Sequence, residues 1–387
     1  MTRPKLADPI EMEVVSNQLL AIAEDMGEVL IRSAFSSNIK ERRDCSTALF
    51  DRRGRLVAQA DHIPIHLGAM IGAVETILAR YDETDIAEGD AFVCNDPYLA
   101  GGSHLPDISI ITPVHLGGRL AYFCGNIAHH ADVGGPTPGS TSGASRSIYE
   151  EGIRLPVIRI VRGGRIDDDL IGLITANCRD PEERALDLKT QIGANERGAS
   201  MLTALVERVG EEKLGRAVDD LLAYTAARLR GRIAALPDGA YRFQRDLDDD
   251  GFGSERVPIV CVADVAGDCL TLDFSGSGPE ARGAVNLPES ALKASVYYAV
   301  KAVLDPELLP NQGMIDPIVI RAQAGTITSP VAPAAVAARA VTSNRLCGAV
   351  FGALYQALPV EAQMASSNDS TSATVISGWH AKRGTHY

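Results

Sequence analysis

The sequence has little positive charge, no long apolar run and no paired cysteine pattern. Aspartate and glutamate number 50 against 37 lysines and arginines, a formal net charge of −13. This excess argues against non-specific nucleic-acid binding, which relies on basic side chains to neutralise phosphates. No apolar stretch approaches the ~20 residues that a membrane-spanning helix needs, and no signal-peptide pattern is present. We therefore expect a cytoplasmic protein that binds neither nucleic acid nor membrane.

The cysteines do not form a disulfide framework. They are odd in number, scattered, and mostly embedded in apolar runs, which is typical of reduced, buried thiols. A hydrophobic content of 45% and a charged content of 22% describe an ordinary globular protein of 387 residues. The cysteines are Cys45, Cys94, Cys124, Cys178, Cys261, Cys269 and Cys347.

Helical and strand patterns both run along the chain without a repeated order. Asp8-Pro9 and Asp180-Pro181 are typical of helix starts, and a further helical pattern ends near Tyr81. Additional helices are predicted over 211–235, 291–304 and 344–358. Strands are predicted over 47–50, 56–60, 91–94, 108–114, 120–126, 239–246, 257–265, 269–274 and 315–320.

This mixture predicts an α+β fold with mixed, largely antiparallel sheets, packed helices and two to three lobes. We expect a metal-site lobe over 1–178, a helical segment over 179–236 and a second α+β lobe over 237–387. A long loop rich in Gly, Pro, Ser and Thr covers 132–147, and long ordered loops are commonly functional.

The strongest chemical signal is a group of His and Asp residues beside Gly-rich loops. His104 and Asp107 lie three residues apart, and His129, His130 and Asp132 follow. Imidazoles and carboxylates together suit Zn²⁺ or Mn²⁺. A single such histidine is more often an ordinary polar residue, but the grouping favours a metal site.

Other candidates are weaker by themselves. His62 and His66 have metal-binding spacing, but Pro64 argues against a regular helix between them, and we expect them to line a pocket or to cap the next helix. Asp44 fits a turn or charge pair. The sequence contains no phosphate-binding loop and no Gly-x-Ser-x-Gly motif, so neither nucleotide binding by this chain nor serine hydrolysis is supported.

The order of these motifs resembles the hydantoinase B family. That family includes the B components of N-methylhydantoinases, the second half of 5-oxoprolinase, a caprolactam-hydrolysing subunit and subunits of acetone and acetophenone carboxylases. The resemblance extends from Asp8 to the last residue and is specific, because several long motifs occur in the family's order. The matching stretches are 37–44, 62–68, 95–107, 129–135, 151–156, 273–278 and 343–345.

The resemblance implies a divalent metal, Zn or Mn, with four protein ligands. It favours His129 over His130 and turns Asp44 from a turn residue into a ligand. Asp132 and His130 then become candidates for holding a ligand or accepting a proton, and four more residues become candidates for the substrate pocket. The implied ligands are Asp44, His104, Asp107 and His129, and the pocket candidates are His62, His66, Asn95 and Asp96.

The family likeness implies hydrolysis of a small cyclic amide. An A-type partner subunit would bind ATP and activate the amide, the metal would acidify a water, and the chain would also self-associate. A subunit of a ketone carboxylase and a non-catalytic scaffold are the alternatives. Family members usually continue with a Gly-rich segment and an Arg/Gly-rich stretch, so the second lobe is expected to be shortened here.

Overall fold

The computed structural model describes residues 8–60, 63–253, 256–364, 379–380, 382 and 384–386. The fold is α+β, as the sequence predicted, and its sheets are antiparallel or mixed. Two main sheets and the helices packed around them make up the described part.

The first sheet has seven strands in the order β2-β1-β5-β4-β3-β6-β7, and each neighbouring pair is antiparallel. The strands β1 and β4 are buried along almost their whole length, including polar residues at several positions. The strands are β1 Cys45–Asp51, β2 Leu56–Gln59, β3 Ala91–Cys94, β4 Asp107–Leu116, β5 Arg119–His129, β6 Ile158–Arg162 and β7 Arg165–Ile166.

Helices cover both faces of this sheet. The helices of this part are α1 Pro9–Ser33, α2 Ser37–Lys40, α3 His66–Arg80, α4 Asp168–Thr175, α5 Pro181–Val209 and α6 Glu211–Ile233. Helices α1, α5 and α6 pack on one face of the sheet, and α3 packs on the other face.

The second sheet is smaller and has the order β11-β10-β9-β8. The pair β10–β11 is parallel and the other pairs are antiparallel. The seventh helix joins the two halves, because it packs against both α3 and the ninth helix. The elements are β8 Gly239–Leu247, β9 Val257–Ala266, β10 Cys269–Asp273, α7 Glu289–Leu304, α8 Gln312–Ile315, β11 Ile318–Arg321 and α9 Ala340–Tyr355, followed by a small pair of strands, β12 Trp379–His380 and β13 Thr385–His386.

The two predicted helix starts differ in mechanism. Asp8 caps α1 as expected, since its carboxylate accepts the backbone N–H groups of Ile10 and Glu11. Asp180 also precedes a helix, but it has a left-handed φ of 55° and makes no capping hydrogen bond. The predicted helix start at Pro181 is confirmed, but the Asp180 carboxylate does not cap α5.

Several further elements were not anticipated. Strands β6 and β7 and helix α4 fall where no element had been predicted, and β11 begins only at Ile318 because α8 occupies the preceding residues. The division into three segments at 178 and 236 stays a prediction.

The two ends of the first sheet differ in character. Residues 44, 107 and 129 lie at one end, together with the 95–106 connection. The tight turns at 52–55, 117–118 and 163–164 lie at the other end. The antiparallel pairing thus brings the His and Asp motifs together at one end of the strands.

Candidate metal centre

Three of the four predicted ligands form one compact cluster. Asp107 and His129 are direct partners across β4 and β5, so their side chains lie side by side. His129 Nδ1 lies 3.1 Å from Asp107 Oδ1. His104 Nε2 lies 3.2 Å from the same oxygen and 3.2 Å from His129 Nδ1. Among the described residues, these three form the group able to hold a metal ion.

The triangle has the dimensions of a transition-metal site. An ion bonded to nitrogen and oxygen at about 2.0–2.2 Å separates neighbouring ligand atoms by roughly 3–3.5 Å. The three measured edges fall in that range. Three protein ligands leave a coordination position open, and solvent reaches this side, because the His129 side chain is 17% exposed. The donor set fits a divalent ion of the Zn or Mn type.

Asp44 and His66 adjoin this triangle. The Asp44 carbonyl accepts the N–H of His129, and Asp44 Oδ2 lies 4.0 Å from His129 Nδ1. His66 begins α3, and its Nε2 lies 3.5 Å from Asp44 Oδ1 and 3.6 Å from Asp107 Oδ1. His66 Nδ1 lies 3.1 Å from the hydroxyl of Ser46. His66 is therefore directed into the cluster, although Pro64 had argued against a helical metal pair.

A buried arginine holds the other oxygen of Asp107. Arg339 Nη2 donates to Asp107 Oδ2 at 2.6 Å and to the Ser103 hydroxyl at 3.0 Å. Ser103 also donates to this oxygen. Burial would raise the pKa of Asp107, but the neighbouring positive charge of Arg339 helps to hold it well below its usual range. Asp107 thus stays ionised, with Oδ1 directed at the two imidazoles.

His104 is held in the form that binds metals. Its Nδ1 lies 3.2 Å from the carbonyl oxygen of Ala337, which can only accept, so the proton sits on Nδ1 and leaves a lone pair on Nε2. Burial lowers the pKa of His104 to about 3, and Arg339 acts in the same direction. The imidazole is therefore neutral at physiological pH, as metal ligation requires.

The two residues predicted to accept a proton are engaged elsewhere. His130 is buried, and its Nε2 pairs with Gln191 Oε1 at 2.9 Å. Asp132 accepts four hydrogen bonds at 2.7–3.0 Å, from the backbone of Gly134 and Gly139 and from the backbone and side chain of Arg179. These contacts bind both residues to other parts of the fold, and their role as proton acceptors stays a prediction.

The predicted pocket residues of the 95–106 connection are likewise occupied. Asn95 donates to the carbonyls of Leu105 and Ile153 and accepts from Leu155 N. Asp96 accepts from two backbone N–H groups of its own loop, and Arg154 donates to its second oxygen at 2.6 Å. These bonds hold the loop that carries His104, so a direct role in substrate binding stays a prediction. His62 lies outside the described residues.

Sequence reasoning missed Arg339 altogether and missed the role of Glu151. Arg339 lies 232 residues from Asp107, in an alanine-rich stretch without a recognisable motif. Glu151 belongs to a motif already noted, and its buried carboxylate accepts the N–H groups of Val336 and Ala337. Burial raises the pKa of Glu151 to about 7. The sequence offered one signal for Arg339, namely that it is a charged residue within a stretch of small apolar residues.

Comparison with known proteins places the chain in a family. The family model described as hydantoinase B/oxoprolinase matches residues 8–387. The chain belongs to the hydantoinase B/oxoprolinase family. It is 34% identical to 5-oxoprolinase 1 of Arabidopsis thaliana over 374 residues, which cover 90% of this chain and 29% of that protein. It is 30% identical to the B component of a putative D-/L-hydantoinase from a Pseudomonas species over 370 residues, 92% of this chain and 62% of that protein.

One solved structure superimposes closely on this chain. The ATP-dependent caprolactamase from Pseudomonas jessenii gives a TM-score of 0.85 at 29% identity, over 91% of this chain and 61% of that chain. The present chain thus spans less than two thirds of the length of the curated relatives it matches first. In the described part of this family member, no helix combines the length and apolarity needed to cross a membrane.

Proposed function

We propose that this chain is the metal-binding B-type component of an ATP-dependent enzyme that hydrolyses a small cyclic amide. The observation that carries the proposal is the triangle of His104 Nε2, Asp107 Oδ1 and His129 Nδ1, with edges of 3.1–3.2 Å. The names of the 5-oxoprolinase, hydantoinase and caprolactamase relatives support the substrate class.

The fourth ligand in this proposal is Asp44. Its side chain is 24% exposed, so it lies at the solvent side of the triangle. Ser46 Oγ accepts the N–H of Ile63 and lies 3.1 Å from His66 Nδ1, which holds the imidazole in place. His66 Nε2 then faces Asp44 Oδ1 at 3.5 Å and Asp107 Oδ1 at 3.6 Å. His66 therefore acts as a positioning residue for the two carboxylates.

A divalent ion in this site would polarise an amide oxygen or bring the pKa of a bound water towards neutrality. The protein supplies fixed charges and orientation. Arg339 and Ser103 hold Asp107 with one oxygen free. Asp44 Oδ2 lies on the triangle side as the proposed ligand atom, and Asp132 and His130 remain the candidates for accepting a proton.

The activation of the amide is assigned to a separate component. The chain has no phosphate-binding loop, and one relative is named as a component of a larger hydantoinase while another is ATP-dependent. We propose that an A-type partner holds the ATP and that the two associate, together with a second copy of this chain. Cyclic amides resist hydrolysis because the amide is resonance-stabilised, which gives ATP-driven activation a chemical purpose.

The test combines metal analysis with an activity assay. Purified chain is analysed for Zn and Mn beside His104→Ala, with His115→Ala as the matched control. His115 lies near the opposite end of β4, where its Nε2 is 2.9 Å from the carbonyl oxygen of Ile86. We expect about one ion per chain in the wild type and the control and none in His104→Ala.

ATP-dependent opening of hydantoin, 5-oxoproline and caprolactam is then measured with an A-type partner present. Ring opening by the wild type and its loss in His104→Ala would support the hydrolase. A metal-bearing complex that hydrolyses none of these rings but carboxylates acetone would favour the carboxylase alternative. A folded chain without metal, alone or with the partner, would contradict the proposal.

A further inference from the structure

The loop that precedes α9 supplies two groups to the ligand cluster from outside the first sheet. The Ala337 carbonyl accepts from His104 Nδ1, and Arg339 binds Asp107 Oδ2. Both groups belong to residues 331–339, whereas the ligands belong to residues 44–129. The orientation of His104 and the charge around Asp107 therefore depend on where this loop lies.

Glu151 fixes that loop without touching any ligand. Its Oε1 accepts Val336 N at 2.7 Å and Ala337 N at 2.8 Å. Glu151 is only 2% exposed, so its carboxylate rather than bulk water accepts these two N–H groups. Residue Ala337 is thus held at both of its backbone groups, with its N–H donating to Glu151 and its carbonyl accepting from His104.

A second contact ties the same segments together. Ile148 N, in the short turn before Glu151, donates to the carbonyl of Pro333 at 2.9 Å. The loop is therefore anchored to the 148–151 turn at two points that are several residues apart. This turn comes before β6, at the same end of the first sheet as the ligands.

We propose that Glu151 is a positioning residue that sets metal affinity through the backbone of Ala337 and the orientation of His104. This inference rests on the metal site of the proposed function. Loss of the carboxylate would free the two N–H groups, shift the Ala337 carbonyl, and remove the constraint that keeps the His104 lone pair directed at the ion. Outer partners of this kind typically contribute 10–100-fold to metal affinity.

The test measures the dissociation constant of the whole chain for Zn²⁺ and for Co²⁺ by chelator competition. Glu151→Ala and Glu151→Asp are the disruptive variants, since aspartate is one methylene too short to reach both N–H groups. Glu151→Gln is the rescue, because its amide oxygen can still accept both. The Co²⁺ absorption spectrum reports ligand geometry, which a purely structural role would leave unchanged.

Asp90→Ala is the matched control. Asp90 is also a buried carboxylate that accepts two backbone N–H groups, from Ala87 and Gly163, but it lies at the far end of the sheet. We expect this variant to lose stability and to keep both the wild-type dissociation constant and the Co²⁺ spectrum.

The expected result is a 10–100-fold weaker affinity and an altered spectrum in Glu151→Ala and Glu151→Asp, with recovery in Glu151→Gln. If Glu151→Ala does not fold, the Asp and Gln variants carry the comparison. An unchanged constant in folded Glu151→Asp would overturn the inference while leaving the metal site intact. A wild-type chain that binds neither ion would remove the proposed function and this inference with it.

Discussion

Arg339 Nη2 lies 2.6 Å from Oδ2 of Asp107, and both side chains are almost completely buried. The pair joins α9's N-terminal end to the first residue of β4. A buried charge needs a partner of opposite sign, because desolvation is otherwise uncompensated. The arginine thereby allows Asp107 to stay ionised in the interior before any cation binds.

Replacing this arginine is expected to destabilise the metal-free protein. Arg339→Met leaves Asp107 without its cationic partner, and removal of one member of a buried pair costs about 3–5 kcal/mol. The free energy of unfolding, measured in urea without metal, should fall by that amount. Arg197→Met is the control, because Arg197 pairs with Asp25 at the exposed surface and should cost under about 1 kcal/mol. Equal effects of the two substitutions would contradict a special role for Arg339.

The four proposed ligands should not contribute equally. Asp107→Ala removes the oxygen common to two edges of the triangle, and we expect it to abolish stoichiometric metal binding. Asp44→Ala leaves all three triangle atoms in place, so metal should still bind with reduced affinity. Metal content after gel filtration, followed by chelator titration, separates the two. Complete metal loss in a folded Asp44→Ala protein would show that the triangle is insufficient.

Gln191 is expected to be a major contributor to stability. Its amide donates to the Ile108 carbonyl and to Asn126 Oδ1, both at 2.9 Å, and pairs with His130. Gln191→Leu keeps the volume but leaves several buried polar groups unpaired, at about 1–3 kcal/mol each. Chemical denaturation should show a loss of about 3 kcal/mol or more, compared with little change for the exposed control Gln244→Leu. A small loss in Gln191→Leu would mean that water replaces the amide.

Asp132 predicts a pH-dependent stability. Burial alone would raise the pKa of Asp132, but hydrogen bonds from Arg179, Gly139 and Gly134 lower it below its ordinary value. The unfolded chain therefore binds this proton at a higher pH than the folded one, and the stabilisation is present above the ordinary carboxyl pKa. It is lost as the pH falls through the lowered value.

The Asp132→Asn variant should therefore be less stable than the wild type at pH 7. The difference in their free energies of unfolding should shrink on acidification below the ordinary carboxyl pKa. Denaturation curves of both proteins at several pH values measure this difference. A stability difference that is constant from neutral to acid pH would show that the charge of Asp132 contributes nothing and that only its geometry matters.

Gly68 tests the contact between the two halves. A Cβ on this residue of α3 would lie 1.9 Å from the carbonyl oxygen of Ser290 in α7. Gly68→Ala should force the helices apart and cost about 1–3 kcal/mol. Gly193→Ala is the control in α5, where a Cβ meets no atom within 4 Å, and it should stabilise by about 1 kcal/mol. Thermal unfolding distinguishes these opposite signs.

The local patterns that predicted the fold depend on neighbours in sequence. Asp8 and Pro9 marked the first helix because capping involves only the next three residues, and the apolar runs of β4 and β5 reflected burial on both faces. Strand β6 was not predicted because its arginines interrupt the apolar pattern. In the structure, Arg159 packs over two aromatic rings.

The site was predictable only in part for a physical reason. His104, Asp107 and His129 come from two neighbouring strands and the loop before them, and their residue types indicated a metal. Arg339 and the Ala337 carbonyl reach the same cluster from the far side of the fold. Nothing in a single sequence indicates that a particular backbone carbonyl will orient a particular imidazole, so this part required the structure.

The proposed ligands and the tight turns lie at opposite ends of the first sheet. This placement determines where the chain tolerates inserted residues. The turn residues Arg52, Arg53, Gly117 and Gly118 are exposed, so extra residues there would lengthen hairpins away from the cluster. A slip of one residue between β4 and β5 would instead turn His129 to the opposite face of the sheet. Length variation among homologues should therefore concentrate at the turn end of the sheet. The strand register at the ligand end should be invariant.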